Sequence, residues 1–239
     1  MLDFLKQRMR QGMRTSSFPD GPVEFPERFR GLPVLDATPG APPLDVGACL
    51  FSPEEAGARP EGTVTFSRDH RMAGSSRQAL ISTTGQVELA RALDAQMQRL
   101  FKRSLRLRSV VAGSCGGCEA ELNALGNVVF DLARFGVQFV ASPRHADGLV
   151  ITGTVNRNML DAVRKTYDAM PSPRLVIAVG ACAIAGGPFR GSAEIGFPSD
   201  LPIDLYVPGC PPHPLTVLDG LLRLLGRLPS PTGPASDAR

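Results

Sequence analysis

The chain has no tryptophan and no run of about 18 consecutive apolar residues, so no segment of it reads as a membrane-spanning helix. It also lacks a strong excess of either charge. The formal net charge is +3 over 239 residues, of which 21% are charged, too small an imbalance to argue for a nucleic acid partner. The first residues do not have the form of a secretory signal. There are five cysteines, an odd number. Without an export signal this points to a reducing compartment, where metal or redox roles are more natural than structural disulfides.

Enough apolar material is present for a real core, at 43% of the residues, while 22 prolines and 25 glycines imply much loop. The length suits one ordinary domain with an appendage, or two small ones. Met1 to Arg14 reads as a short basic amphipathic helix, with Lys6, Arg8, Arg10 and Arg14 set between Leu2, Phe4, Leu5, Met9 and Met13. Such a helix suits an anionic membrane surface or a docking site on a partner subunit. Residues 1–80 otherwise read as irregular, with one short strand at Thr63 to Phe66. From Gln86 to Arg103 the apolar spacing predicts a helix, closed by the basic group Lys102, Arg103, Arg106 and Arg108.

From Ser109 onward strands and helices alternate. Strands are expected at Ser109 to Ala112, Val137 to Ala141, Gly148 to Thr152, Leu175 to Val179 and Asp204 to Val207. Helices are expected at Glu119 to Phe135, at Met159 to Ala169 with Asn158 as cap, and at Leu215 to Leu225. This is the pattern of an α/β fold with a parallel sheet covered on both faces. After Leu228 the composition is that of a disordered tail.

Four cysteines follow strand-like runs. Cys115 and Cys118 form Cys115-Gly116-Gly117-Cys118 after the first strand, Cys182 follows Leu175 to Val179, and Cys210 follows Asp204 to Val207. In a doubly wound sheet the carboxyl ends of the strands line one crevice, so distant thiols meet there. Four thiolates suit zinc or an iron–sulfur cluster. Structural zinc usually takes two close pairs, whereas Cys182 and Cys210 are single residues on separate loops. That spread favours a cubane cluster, with zinc and with buried or redox thiols as the alternatives. Gly113, Gly116, Gly117, Gly180 and Gly209 permit tight turns beside such a body. Cys49 suits a buried apolar thiol.

These residues carry a resemblance. Residues 104–228 resemble the small, cluster-bearing subunit shared by respiratory complex I and the membrane-bound nickel–iron hydrogenases. The matching stretches are Cys115 to Glu121, Ser142 to Asp147, Thr152 to Val155, Gly180 to Ala183 with Gly186 to Phe189, and Val207 to Pro212. The resemblance implies a flavodoxin-like fold. It implies one 4Fe–4S cluster held by Cys115, Cys118, Cys182 and Cys210, with Glu121 and Arg144 close by. It implies an electron-transfer subunit, itself non-catalytic, of an oxidoreductase complex. Its partners would be a large catalytic subunit and further electron-transfer and membrane subunits. Its place would be cytoplasmic, peripheral to the inner membrane through those partners. Complex I subunits carry adjacent cysteines at the first ligand position; the Cys-x-x-Cys here is similar to the hydrogenase branch, formate hydrogenlyase included. The chain lacks the paired Cys-x-x-Cys motifs that hold nickel and iron, so it is not the hydrogen-activating subunit. The alternatives are the equivalent subunit of a complex I-like NADH–quinone oxidoreductase and a zinc-bound or metal-free structural module.

The N-terminal part resembles another protein of the same complexes. Met1 to Lys6, Thr15 to Pro19 and Phe29 to Pro33 resemble the start of their two-cluster ferredoxin subunit, and Glu88 to Ala90 its end. Of the cluster cysteines of such a ferredoxin only Cys49 is present. The implied organisation is a degenerate ferredoxin-like segment over 1–85, a linking helix over 86–103, the cluster-binding domain over 104–228 and the tail over 229–239. Phe189 to Pro202 looks short for the family, and Leu215 stands where relatives often carry Glu. His145 and His213 read as surface or interface histidines, with a role in proton transfer or beside the cluster as the alternative.

Overall fold

The strands of the second half of the chain are apolar on both faces, and that alone requires a sheet buried between layers. The computed structural model describes residues 2–37, 42–52, 58–59, 62–82, 86–198 and 200–229. Five parallel strands form the central sheet: β6 (Leu105–Val111), β7 (Val137–Phe139), β8 (Gly148–Thr152), β9 (Leu175–Val179) and β10 (Leu205–Val207). Their spatial order is β7-β6-β8-β9-β10. Renumbered from the first strand of the sheet this is 2-1-3-4-5, the flavodoxin-like order, with its switch point between β6 and β8. Every residue of β8 and β9 is buried, which is why their expected and observed limits coincide.

The helices around the sheet are α3 (Gly117–Ala124), α4 (Arg157–Asp168), α5 (Ala181–Ala185) and α6 (Pro214–Leu224). Ahead of them lie α1 (Leu2–Gln11) and α2 (Ala95–Phe101). The α6 sequence PLTVLDGLLRL is buried along its whole length. One side packs on β10; the other is covered by the N-terminal part, whose Ala73 approaches so closely that a β-carbon on Gly220 would stand 2.6 Å from its own. Phe18, Ala73, Ala90 and Phe101 share one core with Leu215, Leu218 and Leu221 of α6 and with Ile177 and Leu205 of the sheet. A buried ion pair lies within α6, where Arg223 donates to the Asp219 carboxylate at 2.8 Å.

Several expectations are corrected. Residues 1–80 are not irregular: β1 (Pro33–Ala37), β3 (Ala58–Arg59) and β4 (Gly62–Phe66) form an antiparallel sheet, and β2 (Leu44–Asp45) pairs with β5 (Ile81–Ser82). The helix expected over 86–103 is confined to Ala95–Phe101, capped by the Asp94 carboxylate. Ahead of it Glu88, Ala90 and Leu93 donate to the carbonyls of Ala79, Ala73 and Leu224, so tertiary pairing replaces the helical bonds. The strand expected at 109–112 begins at Leu105, which turns Arg106 and Arg108 from helix-end charges into strand residues.

The helix expected to run to Phe135 stops at Ala124. The Asn127 side chain takes the N–H groups of Val129 and Phe130, Asp131 adopts a left-handed conformation, and a short 3-10 turn at Leu132–Phe135 follows. Val128 and Val129 are consequently exposed. The cap of α4 is Asn156, whose carbonyl oxygen accepts from Met159 N–H, not Asn158. The tail lies, from residue 230 on, outside the described residues.

The first helix forms where expected and is exposed from Asp3 through Arg10. No helix among the described residues is long and apolar enough to cross a membrane.

Candidate metal centre

Parallel register brings four strand ends to one level. Val111 pairs with Thr152, Thr152 with Val179, and Val179 with Val207. The four loops that follow therefore leave the sheet side by side, on the carboxyl edge where α/β folds bind ligands. Three of these loops carry the four cysteines, so thiols up to 95 positions apart, from Cys115 to Cys210, are placed together by the sheet.

The loop after β6 turns at Gly113 (φ +89°) and Gly116 (φ +89°). It presents Cys115 at the surface and Cys118 buried in the first turn of α3. The loop after β8, Thr152-Gly153-Thr154-Val155, is tied to it: Thr154 N–H donates to Gly113 O at 3.0 Å, and a side chain on Gly153 would strike that carbonyl at 2.6 Å. Val155 is buried with φ at +50°, a strained conformation for a β-branched residue. After β9, Gly180 (φ +89°) opens α5, which carries Cys182 half-buried. After β10, Gly209 folds back on Pro212 and exposes Cys210. Ala181 N–H donates to Gly209 O at 2.9 Å, which joins the last two loops.

Glycines also leave room around the sulfurs. A β-carbon on Gly180 would stand 2.5 Å from Cys118 Sγ, and one on Gly187 2.6 Å from Cys182 Sγ. Side chains are excluded there and backbone is brought to the thiols, as a bulky cluster with sulfides of its own requires. The grouping is looser than a single-ion site: among the described residues no three His, Cys, Asp or Glu side chains are set to hold one metal ion.

The thiols nevertheless act on one another. Burial first, then the Glu119 charge and the thiols of Cys182, Cys210 and Cys115, push Cys118 up to about 12. Burial also raises Cys182, helped by Cys210, Cys115 and Glu119. Such thiols are protonated at neutral pH, and ligation to a positive centre would release their protons.

The acidic neighbour of the thiols is Glu119. Its carboxylate accepts from Ser114 Oγ at 2.8 Å and from the Thr152 hydroxyl, and its charge acts on two of the four sulfurs. The sequence motif singles out Glu121 instead; the signal for Glu119 is that it directly follows Cys118. Glu121 is half-buried, with its pKa raised by burial. It faces a cleft of about 220 Å³ that Cys210, His213, Arg28 and Phe29 also line. Arg144 is exposed on the 3-10 turn Pro143–His145 after β7, the edge strand, and His145 beside it is exposed too. Neither is joined to the thiols by a hydrogen bond or ion pair among the described residues.

His213 caps α6, its Nδ1 accepting from Leu215 N–H at 3.1 Å. Burial, with repulsion from His70, holds its pKa down at about 4. Cys49 is buried in the N-terminal part, where Phe51 N–H donates to its sulfur at 3.4 Å. It is not one of the thiols gathered at the sheet.

Residues 115–224 match the family described as NADH ubiquinone oxidoreductase, 20 Kd subunit, a span that opens at Cys115 and takes in all four cysteines of the site. The chain is 42% identical over 136 residues to the probable membrane-bound hydrogenase subunit mbhJ of Pyrococcus furiosus, an alignment covering 56% of this chain and 81% of that one. It is 45% identical over 117 residues to the B-type subunit of the NADH-quinone oxidoreductase of Clostridium beijerinckii, covering 48% and 69%. Among solved structures it resembles a chain of the membrane-bound sulfane sulfur reductase, an archaeal respiratory membrane complex, at 34% identity and a TM-score of 0.48, over 56% of this chain and 75% of that one. The chain belongs to the 20 Kd subunit family of the NADH ubiquinone oxidoreductases, which takes in subunits of hydrogenases and of quinone reductases.

Proposed function

We propose that the chain is an electron-transfer subunit that holds one 4Fe–4S cluster through Cys115, Cys118, Cys182 and Cys210. It relays single electrons to or from the large catalytic subunit of a membrane-associated nickel–iron hydrogenase or formate hydrogenlyase-like complex. The observation that carries this is the common level of the strand ends after which all four thiols follow. When bound, such a cluster supplies one-electron chemistry, and the chain's part is to set its potential by burial and backbone hydrogen bonds. Glu119 is added to the residues beside it; Glu121 and Arg144 are kept as flanking residues that face the large subunit.

A second reading is the equivalent subunit of a complex I-like quinone reductase. The 45% identity to a quinone reductase subunit favours it as much as the 42% identity to a hydrogenase subunit favours the first. The Cys115-x-x-Cys118 spacing inclines the choice to the hydrogenase branch. On either reading the chain sits peripherally on the cytoplasmic face of the inner membrane, held by partner subunits. Residues 104–228 form the cluster-binding unit. The segment before it is a ferredoxin remnant without a relay, since Cys49 is its one thiol and one thiol holds no cluster.

Anaerobic purification with iron and sulfide analysis and EPR tests this. Iron and sulfide in equal amounts with a reduced-cluster signal are expected, and Cys182→Ser should abolish that signal. Stoichiometric zinc without iron would sink both electron-transfer readings, and an unchanged signal in Cys182→Ser would overturn the ligand set.

A further inference from the structure

The loop that carries Cys210 is short and is gripped from outside the sheet. Its last residue before α6 is His213, and three phenylalanines stand edge-on around that imidazole. The ring centroids lie 5.1 Å away for Phe25, 5.4 Å for Phe29 and 5.7 Å for Phe130, at interplanar angles of 74°, 77° and 85°. Phe25 and Phe29 are stacked on each other at 4.1 Å, and Phe25 leans in turn on His70 at 5.4 Å. Phe130 belongs to the turn beyond α3, the helix that carries Cys118. The histidine ring is therefore held between the N-terminal segment on one side and the Cys118 element on the other. Phe29 and the two arginines flanking it, Arg28 and Arg30, form a wall of the cleft whose opposite wall is Gly209 to His213.

Each such aromatic pair contributes about 0.5–1.5 kcal/mol beyond simple burial, and only in a narrow range of ring orientations. Three of them, with the Nδ1 bond to Leu215, leave the imidazole one position. Between His213 and Cys210 stand Pro211 and Pro212, which have no backbone N–H and a restricted φ. Gly209, on the other side of Cys210, is folded so tightly that its β-carbon would stand 2.4 Å from Pro212 Cα. A displacement of His213 is thus passed along a stiff loop to the Cys210 sulfur.

We infer that Phe25 and Phe29, in the segment ahead of the sheet domain, are positioning residues for the site: they clamp His213 and thereby set where the Cys210 sulfur stands. This gives the remnant segment a role in the centre it precedes, through packing and not through a second redox group. The inference rests on the reading of Cys210 as a cluster ligand, and its test separates the two.

The full-length chain is reconstituted with ferrous iron and sulfide, and Phe25→Ala/Phe29→Ala is compared with Phe66→Ala. Phe66 packs on Phe51 in the core of the N-terminal segment, so its removal loosens that segment without touching His213. The clamp predicts an altered EPR line shape, a shifted midpoint potential and several-fold faster loss of iron to a chelator in the Phe25/Phe29 variant. In Phe66→Ala all three stay as in the wild type. Phe25→Tyr/Phe29→Tyr, which keeps the rings, should restore the wild-type signal.

A second measurement uses the metal-free chain: alkylation of each cysteine by iodoacetamide, followed by peptide mass spectrometry. Several-fold faster labelling of Cys210, with Cys115 unchanged, is expected in the Phe25/Phe29 variant. If the wild type takes up no iron, the cluster reading fails and the alkylation result still decides the clamp. Equal alkylation of Cys210 in wild type and variant overturns the inference, as does an equal EPR signal and iron loss in the loaded protein.

Discussion

At Gly180 the backbone has φ +89°, and a β-carbon would stand 2.5 Å from the Cys118 sulfur. Gly180→Ala therefore combines backbone strain of about 1–3 kcal/mol with displacement of a candidate ligand. The expected result is a chain that unfolds at lower urea and binds less iron on reconstitution; wild-type iron content would contradict the role given to this glycine. His213 supplies a pH test. Its folded pKa is depressed to about 4, below the ordinary 6.5, so the unfolded chain takes up its proton first as pH falls. Its contribution to stability is whole above pH 6.5 and is lost progressively down to about pH 4. His213→Asn keeps a capping acceptor but does not titrate, so the urea midpoint should fall less steeply between about pH 7 and pH 5 than in the wild type. An equal fall in both would refute this assignment.

Among the elements, α6 is the most exacting. It is buried on every side, and its Asp219–Arg223 pair is almost wholly removed from water. Such a pair contributes little net stability, but breaking it leaves a charge stranded at a cost of about 3–5 kcal/mol. Asp219→Ala should lose that much in urea unfolding, while the double change Asp219→Leu/Arg223→Met should lose clearly less. A double variant as unstable as the single one would show that the pair itself stabilises the fold.

Elements were legible in the sequence to the degree that local pattern and tertiary burial agree. The strands β8 and β9 are apolar on both faces, and α6 is apolar over most of its circumference, so a continuous apolar run marked all three. The helix expected to reach Phe135 has the right periodicity in Leu122, Leu125 and Leu132, all of which are buried. Between them, however, the Asn127 side chain competes for backbone N–H groups and ends the helix. Over 86–94 the helical spacing is matched by an extended chain, because backbone partners on Ala73, Ala79 and Leu224 are offered by distant residues.

Over the whole molecule, the part before the sheet domain is a structural cover. Gly74 and Tyr206 exchange backbone hydrogen bonds of 3.0 and 2.9 Å, which protects the β10 edge, and Leu93 N–H donates to Leu224 O at 2.9 Å at the end of α6. A chain beginning at residue 94 would expose the outer side of α6 and one sheet edge, both prone to association. It should elute as aggregate in size-exclusion chromatography and show a reduced circular dichroism signal. A monodisperse, folded product would contradict the covering role.

The sequence by itself determined the α/β class and the thiols that could share a site, because Gly and Cys after apolar runs mark strand ends regardless of what surrounds them. Tertiary structure alone decided the rest. The register that levels Val111, Thr152, Val179 and Val207 depends on hydrogen bonds between strands distant along the chain. The place of Glu119 beside the thiols depends on a hydroxyl from a different strand, Thr152. The contact of Phe25 and Phe29 with His213 spans more than 180 positions. Each arises from close packing between distant segments, and local residue patterns carry no record of which distant surfaces will meet.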